Sequence, residues 1–172
     1  MSFAPLPEEQ PVCERLGRLG IPFERFEHPP AARVEDAQPN WAGIEAMHCK
    51  NLFLRNQKGS RHYLLITVAT KRVDLRAVAA AIGDGKLSFG SPERLKTCLG
   101  VTPGSVSPFG LIHDTERQVR VYLDRDLGQL PRISFHPNIN TLTYVLAFDD
   151  FQAFLKDCGS EVRTIEVVNS VA

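Results

Sequence analysis

No run of apolar residues in this 172-residue chain approaches the roughly 20 that a membrane-crossing helix needs; the longest stretches, such as Tyr63 to Ala69, are a third of that. The N-terminus lacks the basic start and apolar core of a secretory signal, so a cytoplasmic location is the expectation. The four cysteines, Cys13, Cys49, Cys98 and Cys158, include no C-x-x-C pair, which argues against a zinc knuckle and a disulfide scaffold and leaves them as small apolar packing residues. There is no G-x-S-x-G, no H-E-x-x-H and no P-loop. Hydrolytic chemistry would therefore rest on positioning, backbone dipoles and groups of the substrate itself. His28, His48, His62 and His113 show no ligand spacing, so no metal and no cofactor are expected.

The chain also lacks net charge, with 20 basic and 20 acidic side chains. A protein that coats duplex backbone is normally basic overall, so DNA is not an expected partner. The distribution is less even. Lys50, Arg55, Lys58, Arg61, Lys71, Arg72 and Arg76 fall in a window that holds Asp74 as its one acid, while Asp149, Asp150, Asp157, Glu161 and Glu166 make the C-terminal part acidic. Such a local patch suits either an ordinary solvated surface or a grip on the end of an RNA.

What is present is an average globular composition, 43% hydrophobic and 23% charged, at a length that fits one domain over residues 1–172. Pro7 to Leu19 reads as a helix stopped by Gly20, and Val34 to Gln38 as a brief one before Pro39. Cys49 to Arg55 and Tyr63 to Ala69 read as paired strands across the turn-prone residues 56–60. Helices are expected from Asp74 to Ile82, from Ser91 to Gly100 and from Asp149 to Cys158. Strands are expected at Gln118 to Asp124, Ile133 to His136, Thr141 to Phe148 and Val162 to Val167. Several of these strands are joined by turns too short for a crossover helix. The expected fold is α+β, a mixed, curled central β-sheet with helices packed around it.

Three features can carry chemistry. Lys50 shares a strand face with Leu52 and Leu54, while Cys49, Asn51 and Phe53 point the other way, so the strand reads as central and buried. Its lysine is either a snorkelling edge residue or a cation aimed at a phosphate or ester oxygen. Gly100 to Gly110 (GVTPGSVSPFG) holds three glycines and two prolines and is expected to lack regular structure. Around Gly104 and Ser105, free N–H groups could meet an oxyanion. His136 to Thr141 (HPNINT) is either a plain turn or the polar wall of a small-ligand pocket.

Taken in order, HCKNLFLRN, HYLLITVATKRVDL, GVTPGSVSPFGL and SFHPNINTLTYVL resemble the YbaK/ProX family of prolyl-tRNA-associated editing domains, over about Glu14 to Val167. The resemblance implies a deacylase acting on mischarged tRNA for proline, with alanine as the expected cargo. It implies Lys50 at the editing site with the backbone of Gly104 and Ser105. It also implies substrate contacts from His136, Asn140, Thr141, Pro103, Pro108 and Phe109. Arg55, Lys58, Lys71 and Arg72 are the candidates for contact with RNA, and prolyl-tRNA synthetase is a second partner that the resemblance raises. Three readings compete with this one: a cysteinyl-tRNA deacylase on the same scaffold, a non-catalytic tRNA-end or synthetase-binding module, and a hydrolase of some small ester unrelated to tRNA.

Overall fold

The computed structural model describes residues 2–171. Its elements run α1 (Gln10–Leu19), β1 (Glu24–Glu27), α2 (Val34–Ala37), β2 (Met47–Asn56), β3 (His62–Val68), α3 (Leu75–Ile82), β4 (Leu87–Phe89), α4 (Pro92–Leu99), β5 (Val119–Asp124), β6 (Arg132–Phe135), β7 (Leu142–Ala147), α5 (Phe148–Cys158) and β8 (Val162–Ile165). Short 3-10 turns cover Gln38–Trp41, Pro108–His113 and Arg125–Gln129. The strands form a mixed sheet in the order β1-β7-β6-β2-β3-β5-β8, with β4 attached to β2. The α+β architecture expected from the sequence is what the chain adopts.

Period-two alternation explains why both faces of this sheet are covered. On β3, Leu64 and Ile66 enter one apolar cluster, with Leu16 of α1, Leu95 of α4 and Phe151 and Phe154 of α5. Tyr63 and Leu65 enter the other, with Val78 and Ala79 of α3. Helix boundaries follow local chemistry. Asp74 and Ser91 cap α3 and α4 by accepting from Arg76 N–H and Arg94 N–H. Gly83, Gly100 and Gly159 end α3, α4 and α5 in the left-handed conformation.

Two expectations need correction. The first helix begins at Gln10, not Pro7, because the Glu9 carboxylate turns back to accept from Leu6 N–H (2.8 Å) and pairs with Arg25 (2.8 Å) while fully buried. The Gly-Pro loop is also less irregular than its composition suggests: Pro108 opens a 3-10 turn capped by Ser107 Oγ, which accepts from Phe109 N–H at 3.1 Å.

The way β2 pairs positions everything that follows. It runs antiparallel to β3 from Cys49 to Arg55, but touches β6 only at Met47 and His48 and β4 only at Leu54 to Asn56. Between those contacts, Cys49 to Phe53 have no strand on the second side. Ala69 N–H donates to the His48 carbonyl and Asn56 N–H to the Arg61 carbonyl, so even-numbered residues of β2 aim their backbone groups at β3. By the antiparallel alternation, Cys49 and Asn51 aim theirs at the gap.

Candidate functional site

That gap is a cavity of about 260 Å3 with four walls. Cys49 to Leu52 of β2 form the floor. Ala31 to Val34, Ala37 and Trp41 close one side, Gly104 and Val106 a second, and His136 the end. Segments far apart in sequence meet here because β2 lies beside β6 and because residues 28–31 run along residues 140–141. In that contact His28 N–H donates to the Thr141 carbonyl and Ala31 N–H to the Asn140 carbonyl, both at 3.0 Å.

Lys50 is half-buried, and burial lowers the pKa of its ammonium, with the Glu35 carboxylate opposing that shift. Nζ donates to the Lys71 carbonyl. One of three donors is thereby held, and two remain for a ligand at the cavity wall. Asn51 beside it donates through Nδ2 to the Val106 carbonyl (3.2 Å), which ties the strand to the Gly-Pro loop. Asn51 Oδ1 is buried and accepts no hydrogen bond from the described residues.

Gly104 has φ +87° and lines the cavity, and a Cβ there would stand 3.0 Å from Ala32 Cβ. Both facts favour glycine. Its N–H has no acceptor among the described residues. Ser105 differs: its N–H donates to the Thr102 carbonyl at 3.1 Å, closing a turn, and its side chain is buried. Of the two N–H groups named from the sequence, the one at Gly104 is open.

His136 Nδ1 is 2.7 Å from the Leu142 carbonyl, so it carries the proton. Burial lowers the ring's pKa, and His28, 5.7 Å away between ring centroids, adds to that shift against the opposing carbonyls of Leu142 and Ala31. A neutral imidazole is the result. Cys49 is the nearest thiol, and its surroundings favour the protonated form. Burial pushes it well above the ordinary thiol range, and Sγ donates to the Met47 carbonyl at 3.4 Å. Among the described residues, no group of three His, Cys, Asp or Glu side chains is arranged to hold a metal, and no helix is long and apolar enough to cross a membrane.

Lys50, Gly104 and His136 thus share one cavity. Other residues named from the sequence lie elsewhere. Phe109 is fully buried against Phe154 and Phe135, and Pro108 is buried with it, so both are core. Pro103 is exposed outside the cavity lining. Asn140 stands behind Gly104, its Nδ2 3.6 Å from where a Cβ would be, and Thr141 supplies backbone pairing. Arg55 sits five residues up the strand from Lys50, roughly 17 Å away at ~3.4 Å per residue, and curls onto the Asn56 and Gln57 carbonyls, while Lys58 lies beyond it in the turn after Asn56.

Lys71 is the clearest departure. Its half-buried ammonium is held between Asp124 (2.8 Å) and Asp126 (2.6 Å) and also donates to the Val167 carbonyl (2.8 Å), so it is not a free surface cation. Arg72 is exposed and flanks the groove next to Lys50. Sequence reasoning missed Asn51, Arg33 and Trp41 as lining residues. For Trp41 a signal existed, since it is the chain's one tryptophan and follows Pro39-Asn40.

The chain is similar to known proteins in sequence and in fold. Residues 28–154 match the aminoacyl-tRNA editing domain. The chain is 36% identical to the prolyl-tRNA editing protein ProX of Acetoanaerobium sticklandii, covering 92% of this chain and 97% of that protein. It is 32% identical to prolyl-tRNA synthetase associated domain-containing protein 1 of Danio rerio, covering 90% and 84%. In fold it matches a crystal structure advanced as a trans-editing enzyme for prolyl tRNA synthetase, with TM-score 0.72 and 22% identity over 96% of this chain and all of that one.

Proposed function

The chain belongs to the aminoacyl-tRNA editing domain family, and from that premise we propose that it is an aminoacyl-tRNA hydrolase that removes alanine from the tRNA for proline. The observation that carries this reading is the cavity of about 260 Å3 in which Lys50, Asn51, Gly104 and His136 converge. It lies just below the ~300–1,000 Å3 of drug-sized pockets. It suits a small amino acid held by its ester, and a small site is what the chemistry demands. A synthetase site built for proline gains only about 10- to 200-fold per missing methylene against alanine, so a second site that admits alanine and is too tight for proline completes the discrimination.

The mechanism is hydrolysis without a protein nucleophile. Lys50 holds the ester or the adjoining phosphate with its two open donors. Gly104 N–H faces the carbonyl oxygen as negative charge develops on it. Asn51 Oδ1 is an acceptor suited to the substrate's ammonium, and neutral His136 closes the side-chain end. The vicinal hydroxyl of the terminal ribose orients the attacking water, which makes proximity the main source of rate. The half-buried Cys49 supports this reading, since its surroundings push the thiol pKa up and its Sγ donates to the Met47 carbonyl.

The test is deacylation of tRNA for proline charged in turn with alanine, cysteine, serine and proline, by the wild type and by Lys50→Ala. Release of alanine ahead of the others, lost in the variant, is the expected result. Preferential release of cysteine would reassign the substrate within the same chemistry. Release of none would replace the hydrolase by a binding module.

A further inference from the structure

The cavity is too small to hold the aminoacyl group, the ribose and the purine of a tRNA terminus together. If the amino acid occupies the floor, the terminal base lies at the rim, and the rim carries one large aromatic surface. Trp41 ends the 3-10 turn Gln38–Trp41, lines the cavity and stays half-exposed.

One face of its indole is covered by the His48 imidazole, with ring centroids 4.3 Å apart and planes within 4°. His48 is itself held at both nitrogens: Nε2 donates to the Ile44 carbonyl (3.3 Å) and Nδ1 accepts from Ser134 Oγ (2.7 Å). Burial keeps that ring neutral, so the pair is a flat aromatic stack and not a cation on a π-face. The stack fixes the indole plane and leaves its second face for a ligand. Beside it on the same rim stands Arg33, exposed and in no ion pair among the described residues. A fixed aromatic plane next to an open guanidinium is what the end of a single-stranded nucleic acid requires, a base to stack and a phosphate to neutralise.

We propose that Trp41, backed by His48, is the platform on which the terminal adenine of the RNA substrate stacks while its aminoacyl ester enters the cavity. This rests on the editing reading and adds to it a binding residue. Every base has a π-face, so the platform supplies affinity and placement of the terminal nucleoside without choosing the base. It should therefore act on KM more than on kcat.

Trp41 is the chain's single tryptophan, so its emission reports on the site without interference from another indole. The wild type is titrated with an uncharged acceptor-stem microhelix ending in CCA and with the same RNA ending in CC. The expected result is a saturable change in emission with CCA, and at least fivefold weaker binding of CC. In parallel, Trp41→Ala should raise KM for alanyl-tRNA about 5- to 150-fold, the range for losing one base-aromatic stack, with a smaller change in kcat. Trp41→Phe should recover most of the loss.

Emission blind to the terminal adenosine, or a KM for both variants equal to wild type, overturns the proposal. If the alanine variant does not fold, the two-RNA comparison on the wild type decides. The editing reading fails separately: a wild type that binds CCA through Trp41 yet hydrolyses no aminoacyl-tRNA keeps the platform and loses the reaction.

Discussion

Lys50 is held by two opposing effects. Burial lowers the affinity of its amine for a proton, while the nearby Glu35 carboxylate and the Lys71 carbonyl favour the charged form. An ammonium poised in this way is ready to exchange a backbone carbonyl for a substrate oxygen. Lys50→Ala should cost about 10²- to 10³-fold in kcat, in the range found for loss of one well-aimed donor. Lys50→Arg should recover only part, because a planar fork cannot take the place of a point charge in a half-buried wall. Single-turnover deacylation measures both. Gly104→Ala should lower the rate by displacing this N–H, since φ +87° and the 3.0 Å approach to Ala32 both resist a methyl group there. Near-wild-type turnover in that variant would remove the Gly104 N–H from the mechanism. At this scale the sequence was readable where a residue's type was unusual for its place, as with a lysine between apolar strand neighbours. It was not readable for Phe109, which the resemblance put among the substrate contacts. Its burial depends on Phe135, Tyr144 and Phe154, which arrive from elsewhere in the chain.

Among the elements, β2 and β3 with their connection to α3 decide what the basic stretch can do. Its seven cations looked alike in sequence, and the fold divides them. Lys71 joins β3 to the ends of β5 and β8 by pairing with Asp124 and Asp126 and donating to the Val167 carbonyl. Burial alone would lower its pKa, but the two carboxylates outweigh that and leave it raised. Lys71→Met leaves Asp124, fully buried and also accepting from Thr67 Oγ1 at 2.6 Å, without its cation. A loss of about 3–5 kcal/mol in urea unfolding is expected. Because Lys50 donates to the Lys71 carbonyl, turnover should fall with stability. Arg72→Ala should leave stability unchanged and reduce by about one the slope of log affinity for RNA against log salt. If Lys71→Met shifts that slope and Arg72→Ala does not, the assignment is reversed. The paired strands and helices were legible from periodicity and caps. The gap beside Cys49 to Phe53 was not, because it is made by what β6 and β4 leave unpaired.

At the level of the whole molecule, lowering the pH from neutrality acts on stability in one direction. His48, His62, His113 and His136 all have folded pKa values below the ordinary 6.5, with burial the first cause in each. Below pH 6.5 the unfolded chain takes up protons that the folded chain refuses, so stability falls as pH drops from 6.5 toward the folded values. Burial raises the Glu9 and Asp124 carboxyls, but Arg25 with Tyr144, and Lys71 with Thr67, more than offset it, so both end below the ordinary range. Their contribution is present above the unfolded carboxylate pKa and disappears as pH falls through the folded one. The melting temperature should therefore decline in two stages, first below about 6.5 and again below about 4. A melting temperature flat from pH 7 to 5 would mean that the histidines are not buried neutral.

The four walls of the cavity come from residues 31–41, 49–52, 104–106 and 136, and β6 is held beside β2 by β7. Nothing shorter than the chain through Ala147 can assemble them. A ribosome making this protein therefore releases no early fragment able to cleave aminoacyl esters. The long sequence separation of the walls thus makes the cavity a late product of synthesis, complete only when most of the chain has emerged.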